Sequence, residues 1–429
     1  MRHPVIRPSI LALSCGVAGC MEPSGPVPDI RSDRVLVVEL PMRGVRKLDL
    51  LLVIDDSPAM RAYRTRLLAN LPNFAAVLSS SNGGIPSLHL AVVTGDLGTS
   101  GARDGIPGPS IAGDGGCLGN GDGARFRTTD SFSGQFVVDQ LLSDGSRVRN
   151  YGSPLSDVFS SLGDVGNTGC AFSQPLEAMR RALLDPENAG FLRDNANLAV
   201  VFVSPQDDCS FDRSTFLGGV ALDPIDTSRC YTRASELVPV DIYADFLKSL
   251  KRDPSMIEVA TIVGPRDPVV IDNIGGRTTV APACSYDGVP ALPAPRLGQF
   301  VALFPNRGTE TTICQPDLTG GFQFFPELLR AEIGDPCINA PLADVDPETP
   351  GRQDDCAAWY VFPKVEQRED ELLARCSMDN TTPCWDIATD ATNCPVGSGE
   401  LLDVHPGPVE LPDLTHVHLE CVAESHAGP

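Results

Sequence analysis

The apolar run that closes in LLVI (51–54), led in by Leu48 and Leu50, stops abruptly on two acids, a serine and a proline. Such a run suits a strand covered on both faces, as in a parallel sheet. Downstream, Met60, Tyr63, Leu67, Leu68, Leu71, Phe74 and Leu78 recur at three- and four-residue steps. That spacing predicts an amphipathic helix with Pro58 at its first position and Ser57 as its N-cap. Asp55 and Asp56 therefore stand at the carboxyl end of a strand, the edge of an open α/β sheet where ligands bind.

The alternation continues along the chain. LHLAVVTGD (88–96), NLAVVFVSP (197–205) and IEVATIVGP (257–265) read as buried strands. SQPLEAMRRALL (173–184), VDIYADFLKSL (240–250) and FQFFPELLRAEI (322–333) read as helices. The pattern predicts an α/β fold with a doubly wound, mostly parallel sheet over residues 35–335. An insertion at about 97–133, centred on GDGGCLGNGDGARF, interrupts it over the ligand edge. That segment has carboxylates and glycines suited to Ca²⁺ but lacks the spacing of an EF-hand loop, so a plain Gly-rich loop is the better reading. From residue 336 to 429 six cysteines fall among short strands, and a small Cys-rich, β-rich module is expected.

The first twenty residues carry Arg2 and Arg7, a short apolar stretch and then Val17-Ala18-Gly19-Cys20. This resembles a bacterial lipoprotein signal peptide (1–19) with Cys20 as the lipidated residue, followed to residue 34 by a Pro-rich tether. The resemblance implies export and lipid anchoring at the outer membrane or cell surface. Beyond Cys15 and Cys20 stand Cys117, Cys170, Cys209, Cys230, Cys284, Cys314, Cys337, Cys356, Cys376, Cys384, Cys394 and Cys421. An even, dispersed set in an exported chain predicts that all twelve form disulfides, and none has the paired C-x-x-C spacing of a zinc site. Two pairs are expected because each closes a short polar loop, Cys209 with Cys230 and Cys384 with Cys394. The formal net charge of −23 argues against nucleic acid or anionic lipid as a partner and leaves the lipid anchor as the only membrane contact.

LLVIDDSPAM also looks like the start of a response-regulator receiver domain, but none of the four lysines precedes a proline as that pattern requires, and a cytoplasmic kinase cannot reach an exported chain. Asp55-Asp56-Ser57-Pro58-Ala59 more closely resembles the D-x-S-x-S loop of von Willebrand factor type A (vWA) domains. With TGCAFSQPLEAMRRAL, VFVSPQDDCS, RLGQFVALF and TTICQPDL, the chain from about 46 to 421 is similar to cysteine-rich bacterial lipoproteins carrying such domains. The resemblance implies a degenerate metal-ion-dependent adhesion site. Asp55 and Ser57 occupy its first two ligand positions and Ala59 its third, without an oxygen. Ser173 falls in the threonine slot, with Thr168 less well aligned. Pro205 stands where the last acid belongs, with Asp207 and Asp208 nearby to compensate. Mg²⁺, Mn²⁺ or Ca²⁺ is what such a site would take, weakly. The same residues also suit a turn in which Ser57 caps the helix and Asp56 favours its positive end, and Asp207 and Asp208 suit a solvated turn.

No G-x-S-x-G elbow or H-E-x-x-H helix is present, and the chain is expected not to be an enzyme. His416 and His418 alternate along an expected strand, on one outward face. The leading functional expectation is a lipid-anchored envelope or surface protein whose vWA-like domain binds another protein or an extracellular polymer. The second is a structural envelope protein with a vestigial metal site.

Overall fold

The buried aliphatic runs set the central sheet. The computed structural model describes residues 35–42, 47–79, 85–142, 146–219, 225–305, 307–315, 318, 336–338, 340–362, 366–377, 383–390, 394, 399–407, 411–412 and 415–424. Cys20, the segment before residue 35 and the helix expected at 322–333 lie outside them. In chain order the elements of the first half are β1 (Val35–Pro41), β2 (Lys47–Ile54), α1 (Arg64–Ser79), β3 (Ser87–Thr94), β4 (Val137–Leu141), β5 (Arg147–Arg149), α2 (Leu155–Gly163), α3 (Pro175–Leu184) and β6 (Asn197–Val203). There follow α4 (Arg229–Thr232), α5 (Val240–Ser249), β7 (Ile257–Val263), the hairpins β8 (Ile271–Ile274) with β9 (Arg277–Val280) and β10 (Cys284–Tyr286) with β11 (Val289–Ala291), α6 (Pro295–Ala302) and β12 (Gly308–Thr312).

The first sheet runs β12-β7-β6-β2-β3-β4-β5. Its first five strands are parallel, and β4 and β5 complete it antiparallel. Period-two geometry sorts β2 onto two cores. Leu48, Leu50, Leu52 and Ile54 join Tyr63, Leu71 and Phe74 of the α1 side with Phe159 of α2. Leu51 and Val53 face the opposite way, onto Leu176 and Met179 of α3, Tyr243 of α5 and Phe300 of α6. This is the doubly wound architecture expected, and truncating Leu50 or Phe300 would cost about 2–5 kcal/mol. The expected helix start differs locally. Pro58–Ala62 is a 3₁₀ turn ahead of α1, and the Ser57 side chain caps nothing.

The second sheet is built from β13 (Cys337–Ile338), β14 (Cys356–Val361), β15 (Glu371–Arg375), β16 (Cys384–Thr389), β17 (Glu400–His405) and β18 (His416–Val422), in the order β1-β18-β14-β15-β16-β17-β13. β1 thus belongs to this sheet and not to the first domain, to which the sequence pattern assigns everything from residue 35. Val38 and Leu40 alternate inward onto Tyr360, Trp385, Val417 and Leu419, while Val37 points out. That two-residue alternation suits an antiparallel sheet with one solvated face and not the doubly covered parallel one.

Six disulfides join the twelve cysteines, as the even count predicts. In the first domain Cys117 joins Cys170, Cys209 joins Cys230 and Cys284 joins Cys314. In the second, Cys337 joins Cys394, Cys356 joins Cys421 and Cys376 joins Cys384. Of the two pairs expected from loop length, Cys209 with Cys230 is present and Cys384 with Cys394 is not. Cys384 joins Cys376 because the parallel ladder that sets Ala374 opposite Cys384 brings Cys376 alongside, and Cys394 reaches back to Cys337. Cys117 and Cys314, for which loop length names no partner, are paired by the fold. Cys117 carries the insertion to Cys170 ahead of α3, and Cys314, just past β12, ties the sheet edge to Cys284 of the β10–β11 hairpin. The long loops closed by 356–421 and 337–394 correspond to roughly 4 kcal/mol each on the chain-entropy estimate, a large contribution for a small core.

His416 and His418 do share a face of β18, but it is not outward. His418 Nδ1 lies 2.6 Å and His416 Nε2 3.1 Å from the Glu39 carboxylate on β1, and His418 Nε2 is 2.9 Å from Glu420. The hydrogen bond to Glu39 raises His418 to about 9 despite burial. Burial pushes Glu39 up, but the two histidines outweigh it and hold the carboxyl down at about 2. A histidine raised above its unfolded value contributes stability that is complete below about pH 6.5 and lost as pH climbs through 9. A depressed glutamate contributes above about pH 4.5 and loses it as pH falls through 2. Thermal melts from pH 5.5 to 9.5 should therefore show stability falling above pH 6.5, and Glu39→Gln should flatten that slope while costing about 1–3 kcal/mol at pH 6. An unchanged slope in the variant would refute the brace.

Candidate functional site

β2 ends at Ile54, and the ladder continues one residue further through Asp55 N to Val203 O at 2.9 Å. Asp55 is held between two neighbouring loops. Its Oδ1 accepts from Ser57 N at 2.9 Å, an Asx turn that bends the chain toward Pro58. Its Oδ2 accepts from Ser204 Oγ at 2.9 Å and from Gln206 Nε2 at 3.2 Å. The Gln206 amide also donates to Ser57 Oγ at 3.0 Å and to Ala171 O at 3.3 Å. A carboxylate oxygen and a backbone carbonyl can only accept, so the NH₂ group must face them. A side-chain NH₂ thus sits against the two oxygens that a cation would bridge.

Asp55 and Ser57 lie side by side. Ser173 is buried, but its hydroxyl makes no hydrogen bond and abuts Gly95, where a Cβ would come within 2.1 Å of it. The aspartates of the next loop are engaged elsewhere and are not a solvated turn. Asp207 accepts from Arg296 N and Leu297 N at 3.0–3.1 Å, closing the N-terminus of α6. Burial raises its carboxyl to about 7. Asp208 accepts from Leu176 N at 3.0 Å and Ser210 Oγ at 2.6 Å, and pairs with the Arg296 guanidinium at 3.0 Å. The two acids pin α3 and α6 to the loop. With Ala59 in the third position, Pro205 in place of the last acid and an amide across Asp55 and Ser57, the residues present do not fit an octahedral divalent cation. Among the described residues no group of three or more His, Cys, Asp or Glu side chains is arranged to hold a metal.

The insertion supplies what lies behind the site. Asp96 accepts from Gly98 N and Cys170 N, at 2.7 and 3.1 Å, and Asp122 N returns to Asp96 O. Asp122 Oδ2 accepts from Thr94 Oγ1 at 2.7 Å. Gly121 requires its left-handed backbone, and a Cβ there would strike the Asp96 carboxylate at 2.1 Å. The disulfide between Cys117 and Cys170 fastens this loop to the segment before α3. Asp55, Asp56, Asp96 and Asp122 form an acidic group with no lysine or arginine ion-paired to any of them among the described residues. Burial raises Asp55 and Asp96, and burial followed by repulsion from the other three raises Asp56 to about 9. Asp56 Oδ1 is buried without a partner. Gln206 and Asp122 escape the sequence pattern. Gln206 is a donor one residue beyond Pro205, where an adhesion site calls for an oxygen ligand, and Asp122 stands in what reads as a plain Gly-rich loop.

Above Asp55 and Ser57 opens a cleft of about 840 Å³, floored by Ser57 and Gln206 and walled by Pro58, Ala59, Ala171 and Leu292. Asp114, tied to Arg61 at 2.9 Å, stands on its rim.

An acid whose folded pKa lies above its unfolded value keeps its proton on folding, so between about pH 4 and pH 9 it destabilises the fold increasingly as pH rises. Asp56→Asn should therefore raise the melting temperature at pH 8, by roughly 2–4 °C per kcal/mol relieved, and the gain should vanish at pH 4. Equal effects at both pH values would contradict this account of the acidic group.

No protein-family model matches the chain, and no curated protein matches it. Among solved structures the chain is similar to a von Willebrand factor type A protein from Catenulispora acidiphila, at 13% identity and a TM-score of 0.31, over 91% of this chain and 61% of that one. It is similar to proximal thread matrix protein 1 of the mussel byssus with a zinc-occupied MIDAS motif, at 10% identity and 0.33, over 69% and 48%. It is also similar to the pilus adhesin SpaC from Lactobacillus rhamnosus GG in its open conformation, at 10% identity and 0.35, over 94% and 44%. The chain thus spans about half the length of these proteins.

Proposed function

We propose that the protein is a lipid-anchored envelope or cell-surface binding protein that recognises a partner protein through the cleft at the carboxyl ends of β2 and β6, without needing a divalent cation. The observation that carries this reading is the Gln206 amide, which supplies hydrogen-bond donors to Asp55 and Ser57 where a cation would otherwise be required. A non-catalytic role goes with this reading: the Ser57 hydroxyl is taken up by the Gln206 amide and by the Asp55 carboxylate beside it. Anchoring through Cys20 rests on the V-A-G-C box, and Cys20→Ser should move the protein from membranes to the soluble fraction.

Two measurements test the recognition reading. Millimolar Mg²⁺, Mn²⁺ or Ca²⁺ should leave the melting temperature of the wild type unchanged, because a ligand stabilises only by binding the folded state. A rise of several degrees with any of them would return the site to metal binding. Immobilised full-length chain in EDTA should retain a discrete envelope protein, and Ala59→Trp should lose it by filling the cleft from an exposed position. Equal retention by both would favour the second reading, a structural envelope protein with a vestigial site.

A further inference from the structure

The amide that closes the metal position also fixes the chemistry of the cleft above it. Gln206 is 7% exposed, and three acceptors, Asp55 Oδ2, Ser57 Oγ and Ala171 O, hold its nitrogen inward. Its carbonyl oxygen Oε1 accepts from no described residue and is not sealed from solvent, and Gln206 lines the cleft. The one unpartnered polar atom of this nearly buried side chain is therefore an acceptor open to solvent, on a residue that lines the cleft. A metal in the same position would present the opposite character, an electron-pair acceptor that draws a carboxylate.

The surroundings act in the same direction. Behind the floor stand Asp55, Asp96 and Asp122, while Asp114 on the rim is already paired with Arg61. Among the described residues no lysine or arginine is ion-paired to these three carboxyl groups behind the floor. A carboxylate entering the cleft would meet the Oε1 lone pairs and these acids. An ammonium or guanidinium would find an acceptor and a favourable field, while Pro58, Ala59 and Leu292 would cover its aliphatic stem.

We infer that the cleft at the ends of β2 and β6 takes a lysine or arginine side chain of the partner protein, received by Gln206 Oε1, and excludes the acidic side chain that a metal-bearing site would select. The inference rests on the proposed recognition face and adds the chemistry of what binds there.

The test uses the full chain in EDTA at 150 mM salt, equilibrated with resins bearing Gly-Gly-Lys-Gly-Gly, its Arg counterpart or its Glu counterpart. The expected result is retention on Lys and Arg at least about tenfold above Glu, as for a hydrogen bond to a charged group. Because the chain is strongly acidic, two charge-neutral variants separate the cleft from general attraction. Gln206→Met should reduce Lys and Arg retention at least roughly fivefold. Ala59→Trp, at an exposed position that tolerates a large side chain, should do the same even if Gln206→Met does not fold. The inference is overturned if the Glu resin retains the chain equally or better, if retention needs Mg²⁺ or Mn²⁺, or if Ala59→Trp leaves Lys retention unchanged. Loss of the envelope protein by Ala59→Trp together with a preference for Glu would defeat this inference alone. No effect of Ala59→Trp on either would defeat the recognition face itself.

Discussion

The carboxylate of Asp55 has to be compensated where it stands. It ends the central strand of the first sheet, is 3% exposed, and cannot move without breaking the ladder to Val203. A charge in that position needs either a cation or several donors, because leaving it unpaired costs several kcal/mol. The protein meets the need with donors: Ser57 N, Ser204 Oγ and Gln206 Nε2. The loops after β2 and β6 are consequently locked to each other through one side chain, and the third loop joins through Ala171 O. Replacing Asp55 by asparagine would set an NH₂ against one of these donors, so Asp55 is a structural acceptor whether or not the cleft is used.

Around this point the remaining acids divide into two kinds. Asp207 and Asp208 face backbone N–H groups and Arg296, so their charges hold α6 and α3 against the sheet. Asp96 and Asp122 accept from Gly98, Cys170 and Thr94, Asp56 Oδ1 is buried without a partner, and among the described residues no ion pair reaches any of the three. Stability is thus spent on keeping acids behind the cleft. The disulfide between Cys117 and Cys170 and the left-handed glycines of the insertion hold that arrangement together against its own charge.

Much of the first domain is legible in its sequence because burial on both faces leaves a direct mark. LLVI, LAVV, AVVFV and VATIV are short apolar runs rich in valine and isoleucine, as a strand covered on both faces requires. The second sheet is harder to read. Its strands are short, one face is solvated, and β1 lies almost the whole chain away from β18, its partner. Nothing local in VLVVELP says which sheet it joins. At the site, the slots vacated at Ala59 and Pro205 are visible in the sequence, as is the pairing of Asp55 with Ser57. What fills the gap is not, because the amide of Gln206 acts through the direction it points, and composition does not record direction. The cysteines illustrate the same limit. Proximity in sequence favours Cys394 for Cys384, while strand register favours Cys376, and nothing near Cys117 or Cys314 names Cys170 or Cys284.

The pairing of β1 with β18 has a mechanical consequence. Tension applied to the chain ahead of Val35 enters along the axis of β1 and is shared at once by the seven residue pairs that join it to β18. From β18 the load passes to β14 through their ladder and through the covalent bond between Cys356 and Cys421. Hydrogen bonds loaded in shear resist together, whereas those peeled from one end yield in turn. A pull on the chain ahead of Val35 therefore strains the second sheet before β1 can slide along β18.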